Sequence, residues 1–129
     1  MTQAGPRVGQ LYSCIEQSKM HGGNPRLTLP DSEDEVTLIR FRPDKNPDGP
    51  HIIEHGPPRN PGSRLPERVE MLRRQNEPLP LYRYASGAAW EYLGRYRVQG
   101  ITDGGPEATE RSKICSRPIR YVIRLEEAS

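Results

Sequence analysis

The sequence predicts a mainly β (α+β) fold, a small curved antiparallel β-sheet or barrel with one main helix. Three observations support this prediction. Apolar and polar residues alternate, as in strands, through much of the second half of the chain, and only one segment has the helical spacing of apolar residues. The 14 prolines and 12 glycines also interrupt long helices. The length of 129 residues fits a single domain spanning 1–129.

The first half of the chain predicts short elements separated by turns. Residues 8–15 are compatible with either a short strand or a helix, and residues 21–35 are rich in Gly, Pro, Asn and Asp, which predicts a loop. Residues 36–42 and 51–55 contain β-branched and aromatic residues, and the segment 43–50 between them holds three prolines and an Asp-Gly pair. We therefore expect the two segments to form a β-hairpin.

The main helix is predicted to begin near Pro66, because proline is tolerated in the first turn of a helix. Leu65, Val69 and Leu72 follow the spacing i, i+4, i+7, which places them on one apolar face. Pro78 prevents the helix from continuing further.

Three strands are predicted after this helix, at 79–85, 90–98 and 118–125, with a charged loop at 103–113 between the last two. In the last strand the odd-numbered residues are apolar and face inward. In the strand 90–98, simple alternation predicts one shared face for Trp90, Tyr92, Gly94, Tyr96 and Val98.

Charge and cysteine content limit the class of protein. The chain has 19 Lys+Arg and 17 Asp+Glu, but 16 of the basic residues are arginine, and residues 59–129 carry a net charge of +4. The planar guanidinium group suits phosphate oxygens and stacks on flat rings. No apolar stretch is long enough for a membrane helix, no secretory signal is present, and two cysteines make no disulfide framework. A cytoplasmic location, or a nuclear one in a eukaryote, is therefore expected.

No pattern of catalytic residues is found. The sequence has no phosphate-binding glycine loop, no nucleophile elbow and no zinc-protease motif, and no pair of cysteines lies near His51 and His55. We therefore expect no catalysis by this chain alone, no cofactor and no metal site.

Aromatic residues are concentrated in one region. Five of the eight aromatic residues fall between positions 82 and 96, where they are interleaved with Arg83, Arg95 and Arg97. A nucleobase stacked on such a ring contributes about 1–3 kcal/mol. Large rings also fill the core of a barrel, so only some of the five are expected to contact a ligand.

The order of these segments resembles the SRA (SET- and RING-associated, or YDG) domains and their relatives in modification-dependent restriction endonucleases. These domains have a curved β-barrel of the PUA-like type, bind DNA, and flip a modified cytosine into an aromatic-lined pocket. The resemblance covers most of the chain. It is carried by VGQLYS (8–13), the segment 36–56, PERVEMLRRQNEPLPLYRY (66–84), WEYLGRYRV (90–98) and PIRYVIRL (118–125).

The resemblance implies a module that recognises 5-methyl- or 5-hydroxymethylcytosine in double-stranded DNA by base flipping, as part of a restriction system with a nuclease domain or subunit. Leu93 stands where the family's Tyr-Asp-Gly signature has an acid, so Glu91, Asp48 or Asp103 are candidates for the carboxylate that accepts the cytosine amino group. The predicted base-pocket residues are Tyr84, Trp90, Tyr92, Asp48 and Glu91.

Basic residues outside this pocket are expected to contact backbone phosphates. The predicted contacts are Arg59, Arg64, Arg68, Arg73, Arg74, Arg83, Lys113 and Arg117. Two other functions are compatible with the same residues. A PUA-like RNA-binding domain would also use rings and arginines, and the chain is equally compatible with a protein-interaction domain that has no role with nucleic acid.

Overall fold

The computed structural model describes residues 5–128. Eight strands and three helices follow one another along this part of the chain. They are β1 (Leu11–Tyr12), α1 (Cys14–His21), β2 (Asp31–Ser32), β3 (Glu35–Val36), β4 (Ile39–Phe41), β5 (Ile52–His55), α2 (Leu65–Arg74), β6 (Leu79–Ser86), β7 (Ala89–Asp103), α3 (Gly105–Cys115) and β8 (Tyr121–Glu127).

The main sheet curls into a half-barrel with the strand order β4-β6-β7-β8-β5, and β1 adds to β7. This confirms the predicted small, curved, mainly β fold. The sheet is mixed, however, because β4 runs parallel to β6 while the other pairs are antiparallel. The curl brings the apolar residues of its inner face together in a core that includes Ile53, Leu72, Leu81 and Ile123.

The predicted hairpin between 36–42 and 51–55 is wrong. β4 pairs with β6, and β5 pairs with β8, so the two segments form opposite edges of the sheet. The prolines of the intervening segment 43–50 lack the N–H groups that a hairpin ladder needs. The half-barrel consequently stays open between β4 and β5 within the described part of the chain.

The helices agree with the prediction in one case out of three. The predicted main helix is α2, and it buries Val69, Met71 and Leu72. α1 begins at a capping box in which Ser13 and Glu16 each bond the other's backbone N–H. α3 occupies the segment predicted to be a loop.

A β-bulge in β7 separates rings that simple alternation places together. Leu81 pairs with Gly94 but Tyr82 pairs with Tyr92, so Leu93 is an extra residue on β7. Gly94 has a φ of +111°, which glycine adopts without strain. The prediction of one shared face for Trp90, Tyr92, Gly94, Tyr96 and Val98 is therefore wrong. Tyr96 packs in the main core, whereas Tyr92 packs with Tyr82 and Leu38 in a second, smaller cluster.

Candidate functional site: a basic cavity and a ring pair

A cavity of about 700 Å³ lies where the half-barrel stays open. Its walls come from the two edge strands, from the segment after β4, from residues 56–63 and from the first turn of α2. We call it the basic cavity. A volume of this size is typical of pockets for small molecules.

Cations dominate the walls of the basic cavity. Glu54 is its one acidic lining residue among residues 5–128, and the Glu54 side chain is fully buried against Arg111. The basic lining residues are Arg40, Arg42, Lys45, Arg59, Arg68 and Arg117. Asp44 pairs with Arg42 at 3.2 Å, but the other five make no ion pair with a residue of the described range, so the cavity attracts anions.

Three buried nitrogens of the cavity lack a hydrogen-bond partner among the described residues. They are His55 Nε2, Arg68 Nε and Arg117 Nε. Leaving a buried donor unpaired costs about 1–3 kcal/mol, and folded proteins pair nearly all such groups. Together with Glu54 Oε2, which also lacks a partner, they are the buried polar atoms of the cavity walls whose hydrogen bonding the fold leaves incomplete.

His55 is close to both of these arginines. Burial, followed by the positive charges of Arg117 and Arg68, lowers the pKa of His55 to about 4. The imidazole is therefore neutral at neutral pH, and it adds hydrogen-bonding capacity to the cavity without adding charge.

The wall formed by residues 43–50 is held in place by hydrogen bonds to β5. Asn46 Oδ1 accepts a bond from the backbone N–H of Glu54 at 2.8 Å. Arg117 Nη2 donates to the carbonyl oxygens of Lys45 at 3.1 Å and Glu54 at 3.2 Å. Arg117 therefore fixes the wall with one nitrogen, and its Nη1 makes no hydrogen bond to a residue in the described range.

An aromatic pair lies at the β6–β7 hairpin, next to the basic cavity. The rings of Tyr84 and Trp90 meet edge to face with their centroids 5.2 Å apart, and both are half-buried. The guanidinium of Arg42 lies 4.4 Å from the centre of the Tyr84 ring, and Arg42 also lines the cavity. Arg42 thus connects the two features. We call Tyr84 and Trp90 the ring pair.

Tyr92 does not join the ring pair. It is only 7 % exposed and packs 5.2 Å from the Tyr82 ring. The Tyr82 hydroxyl in turn bonds His21 Nε2 at 2.8 Å. Burial is the main cause of a raised pKa at both tyrosines. Tyr92 also lines a second cavity of about 760 Å³, whose walls combine Arg95 with three glutamates.

The carboxylates considered for a base pocket are all engaged in ion pairs. Glu91 bonds Arg83 at 2.7 Å, Asp48 bonds Arg111 at 2.6 Å, and Asp103 bonds Arg120 at 2.9 Å. Leu93 packs against the main core. The five predicted base-pocket residues are therefore not brought together around one opening, and only Tyr84 and Trp90 touch each other among the three rings.

The eight basic residues predicted to contact phosphate fall into two groups. Arg59, Arg68 and Arg117 line the basic cavity. The other five lie outside it: Arg64 near Asp31 (3.7 Å), Arg73 with Glu70 (3.2 Å), Arg83 with Glu91, and Arg74 and Lys113 exposed to solvent. Sequence reasoning missed the contributions of His55 and Arg42. For His55, the signal in the sequence was the Gly-Pro-Pro that follows it, because this tripeptide ends the strand and so places His55 at the strand end.

Neither metal-binding nor membrane-spanning features are found in residues 5–128. No group of three His, Cys, Asp or Glu side chains there is arranged to hold a metal ion. No helix in that range is long and apolar enough to cross a membrane. Comparison with models of protein families, with curated proteins and with solved structures found no match to this chain.

Proposed function

We propose that the chain is a nucleic-acid-binding module whose target is double-stranded DNA. The observation that carries the proposal is the adjacency of the basic cavity and the ring pair through Arg42. Nucleic acid combines regularly spaced negative charge with flat bases, and proteins bind it with cationic grooves beside aromatic side chains.

The basic cavity and the ring pair are proposed to bind different parts of the nucleic acid. Lys45, Arg59 and Arg68 make no ion pair with any residue between 5 and 128, so their charges are available to phosphates. A base reaches Tyr84 or Trp90 only after it leaves the stack of the duplex, because the bases inside a duplex cover one another's faces. We therefore propose that one extruded base stacks on the ring pair while the phosphates beside it bind at the cavity.

The resemblance to SRA domains adds the finer proposal that the extruded base is a modified cytosine. The pairing of Glu91 with Arg83 and of Asp48 with Arg111 leaves both carboxylates committed. Recognition would then depend on the shape of the modified base. One methyl group read by shape contributes about 1–3 kcal/mol, so we expect a modest preference over plain DNA. Cleavage would be the task of a partner nuclease.

Fluorescence anisotropy tests the proposal with plain, methylated and hydroxymethylated duplexes, single-stranded DNA and matched RNA. Two variants each remove one feature: Arg59→Gln in the cavity and Trp90→Ala in the ring pair. Arg97→Gln is the matched control, because Arg97 is exposed, lies outside both cavities and is seven residues from Trp90 along β7, roughly 20 Å.

Both variants are expected to weaken binding to the duplexes, Trp90→Ala by about 5- to 150-fold from lost stacking. The control should change little. Tighter binding of RNA than of any duplex would instead identify an RNA-binding domain. Failure of every nucleic acid to bind would overturn the proposal.

A further inference from the structure

We infer that the basic cavity binds a phosphate monoester, the group that ends a nucleic-acid strand or a free nucleotide. Attachment of that group to a strand rests on the proposed function, whereas the monoester site itself does not. Three aspects of the cavity carry the inference: its donors, its enclosure and its apolar floor.

Three side chains from separate elements line the same cavity. His55 ends β5, Arg68 lies in the first turns of α2, and Arg117 follows α3. Arg68 makes no hydrogen bond or ion pair with any side chain of the described range, and Arg117 keeps Nη1 and Nε uncommitted. A monoester has three terminal oxygens and up to two negative charges. It therefore offers the two arginines more acceptor oxygens and more charge than an internal phosphodiester, which has two free oxygens and one charge.

The N-terminus of α2 strengthens the same site. Leu65 begins the helix and lines the cavity together with Ser63. Leu65 N–H already donates to Ser63 Oγ at 3.2 Å and Pro66 has no N–H, so the ten-residue helix contributes the partial positive charge of its N-terminus rather than donors from its first two residues. Glu67 in the same turn is exposed and is not among the lining residues.

Enclosure distinguishes a chain end from a chain interior. The cavity lies between the two edge strands and is walled by residues 42–46 on one side and 56–60 on the other. A phosphate inside a duplex has sugar and base on both sides, so it meets the exposed cations at the rim of the cavity, Lys45 and Arg59, rather than the arginines deeper inside. A terminal phosphate has only one such attachment, so it can enter the cavity while the rest of the strand stays outside.

The floor of the cavity is apolar and suits the rest of a nucleotide. Phe41, Ile53 and Leu65 line it, and the first two are almost completely buried in the main core. Leu65, which is half-buried, is the one of the three with side-chain surface left for a ribose or base, because Phe41 and Ile53 are covered by other core residues. The pocket thus has the combination of apolar walls and a few placed polar groups that is usual for small-molecule sites.

The experiment compares ligands that differ only in the monoester. Calorimetry with the full chain would use inorganic phosphate, cytidine 5′-monophosphate and cytidine, and anisotropy would use one oligonucleotide with a 5′-phosphate, a 3′-phosphate or hydroxyl ends. Arg68→Gln is the main variant, and Arg68→Lys retains the charge but not the planar donors. Arg97→Gln removes an equal charge from outside the cavity. A thermal melt of each variant checks that it is folded.

We expect the monophosphate to bind and cytidine not to bind. A terminal phosphate should strengthen oligonucleotide binding at least about tenfold, and Arg68→Gln should remove that advantage, since hydrogen bonds to charged groups are the stronger class. Arg68→Lys should restore it in part and Arg97→Gln should retain it.

The remaining outcomes separate the two proposals. If all oligonucleotides bind equally and the monophosphate does not bind, the monoester inference is overturned and nucleic-acid binding stands. If the monophosphate binds and no oligonucleotide does, the proposed function fails and the monoester site stands as a nucleotide pocket. If nothing binds, both fail.

Discussion

Two neighbouring residues of β5, Glu54 and His55, have opposite surroundings. The Glu54 side chain is fully buried, and its Oε1 accepts bonds from both Nε and Nη2 of Arg111, which also bonds Asp48. His55, the next residue along the strand, has Arg117 and Arg68 near it and no carboxylate partner among residues 5–128. The first region pairs its arginine with two carboxylates, although Glu54 Oε2 is left without a hydrogen bond, whereas the second leaves positive charge without an acidic partner.

This difference shows which buried polar region stabilises the fold and which is available for binding. Burial alone would lower the pKa of Arg111, but the hydrogen bonds that it donates to Asp48 and Glu54 raise that pKa, so the guanidinium remains charged. Removing one member of such a network leaves its partner buried without a counter-charge, and the free-energy cost of taking that partner out of water is then no longer offset. The cavity has no such network, and its unpaired cations gain a partner only when an anion binds.

The largest expected effect comes from Arg111→Met. This change leaves the carboxylate of Glu54 buried without its partner, which should lower the free energy of unfolding by about 3–5 kcal/mol. Urea denaturation measures the loss. Arg124→Met is the matched control, because Arg124 pairs with Glu107 at the surface and such pairs contribute about 0–1 kcal/mol. Equal losses in the two variants would contradict the contrast between the balanced network and a surface pair.

The next largest effect is the pH dependence caused by His55. Its pKa in the folded chain, about 4, lies below the ordinary value of 6.5, so the unfolded chain takes up the proton first as the pH falls. The stability associated with neutral His55 is complete above pH 6.5 and is lost as the pH falls from there towards 4. The full loss is roughly 3 kcal/mol.

His55→Gln isolates that contribution from the carboxylates that also titrate in acid. The wild-type free energy of unfolding should fall more steeply than that of the variant between pH 6.5 and 4. The substitution leaves every other titratable group in place, so the difference between the two curves reports His55. Parallel curves would show that its imidazole is not enclosed as described.

Phosphate should then affect the two regions differently. A ligand that binds only the folded state, at ten times its Kd, raises the free energy of unfolding by about 1.4 kcal/mol. We expect inorganic phosphate to produce such a rise in the wild type and in Arg124→Met, and not in Arg68→Gln. A matched sodium chloride titration serves as the ionic-strength control. Stabilisation of Arg68→Gln to the same extent would place the anion elsewhere.

The sequence predicted those parts of the fold that depend on local pattern. The spacing of Leu65, Val69 and Leu72 identified α2, and alternation identified β6, β7 and β8. α3 was missed because it begins with Gly and Pro and buries only Ala108 and Arg111, so no apolar face marks it. The bulge at Leu93 was missed because an inserted residue leaves the pattern of apolar residues unchanged.

The candidate site was predicted in its residue types but not in its assembly. Arg59, Arg68 and Arg117 were expected to contact phosphate, and they line one cavity. The cavity exists because β4 pairs with β6 and β5 with β8, which are contacts between residues about 40 and 70 positions apart in sequence. Local patterns carry no information about such pairings, so the Gly-Pro-Pro after His55 marks the end of its strand but does not reveal which residues surround it.

The smallest expected effect is also the most direct test of the contrast. Arg68→Gln in the absence of any anion should change the free energy of unfolding by less than about 0.5 kcal/mol, or raise it slightly, because Arg68 has no partner to lose and its charge faces Arg117. Raising the salt concentration should narrow any gain, since it screens that repulsion. A loss of 2 kcal/mol or more would mean that Arg68 supports the fold as Arg111 does, and the distinction between the two sides of β5 would disappear.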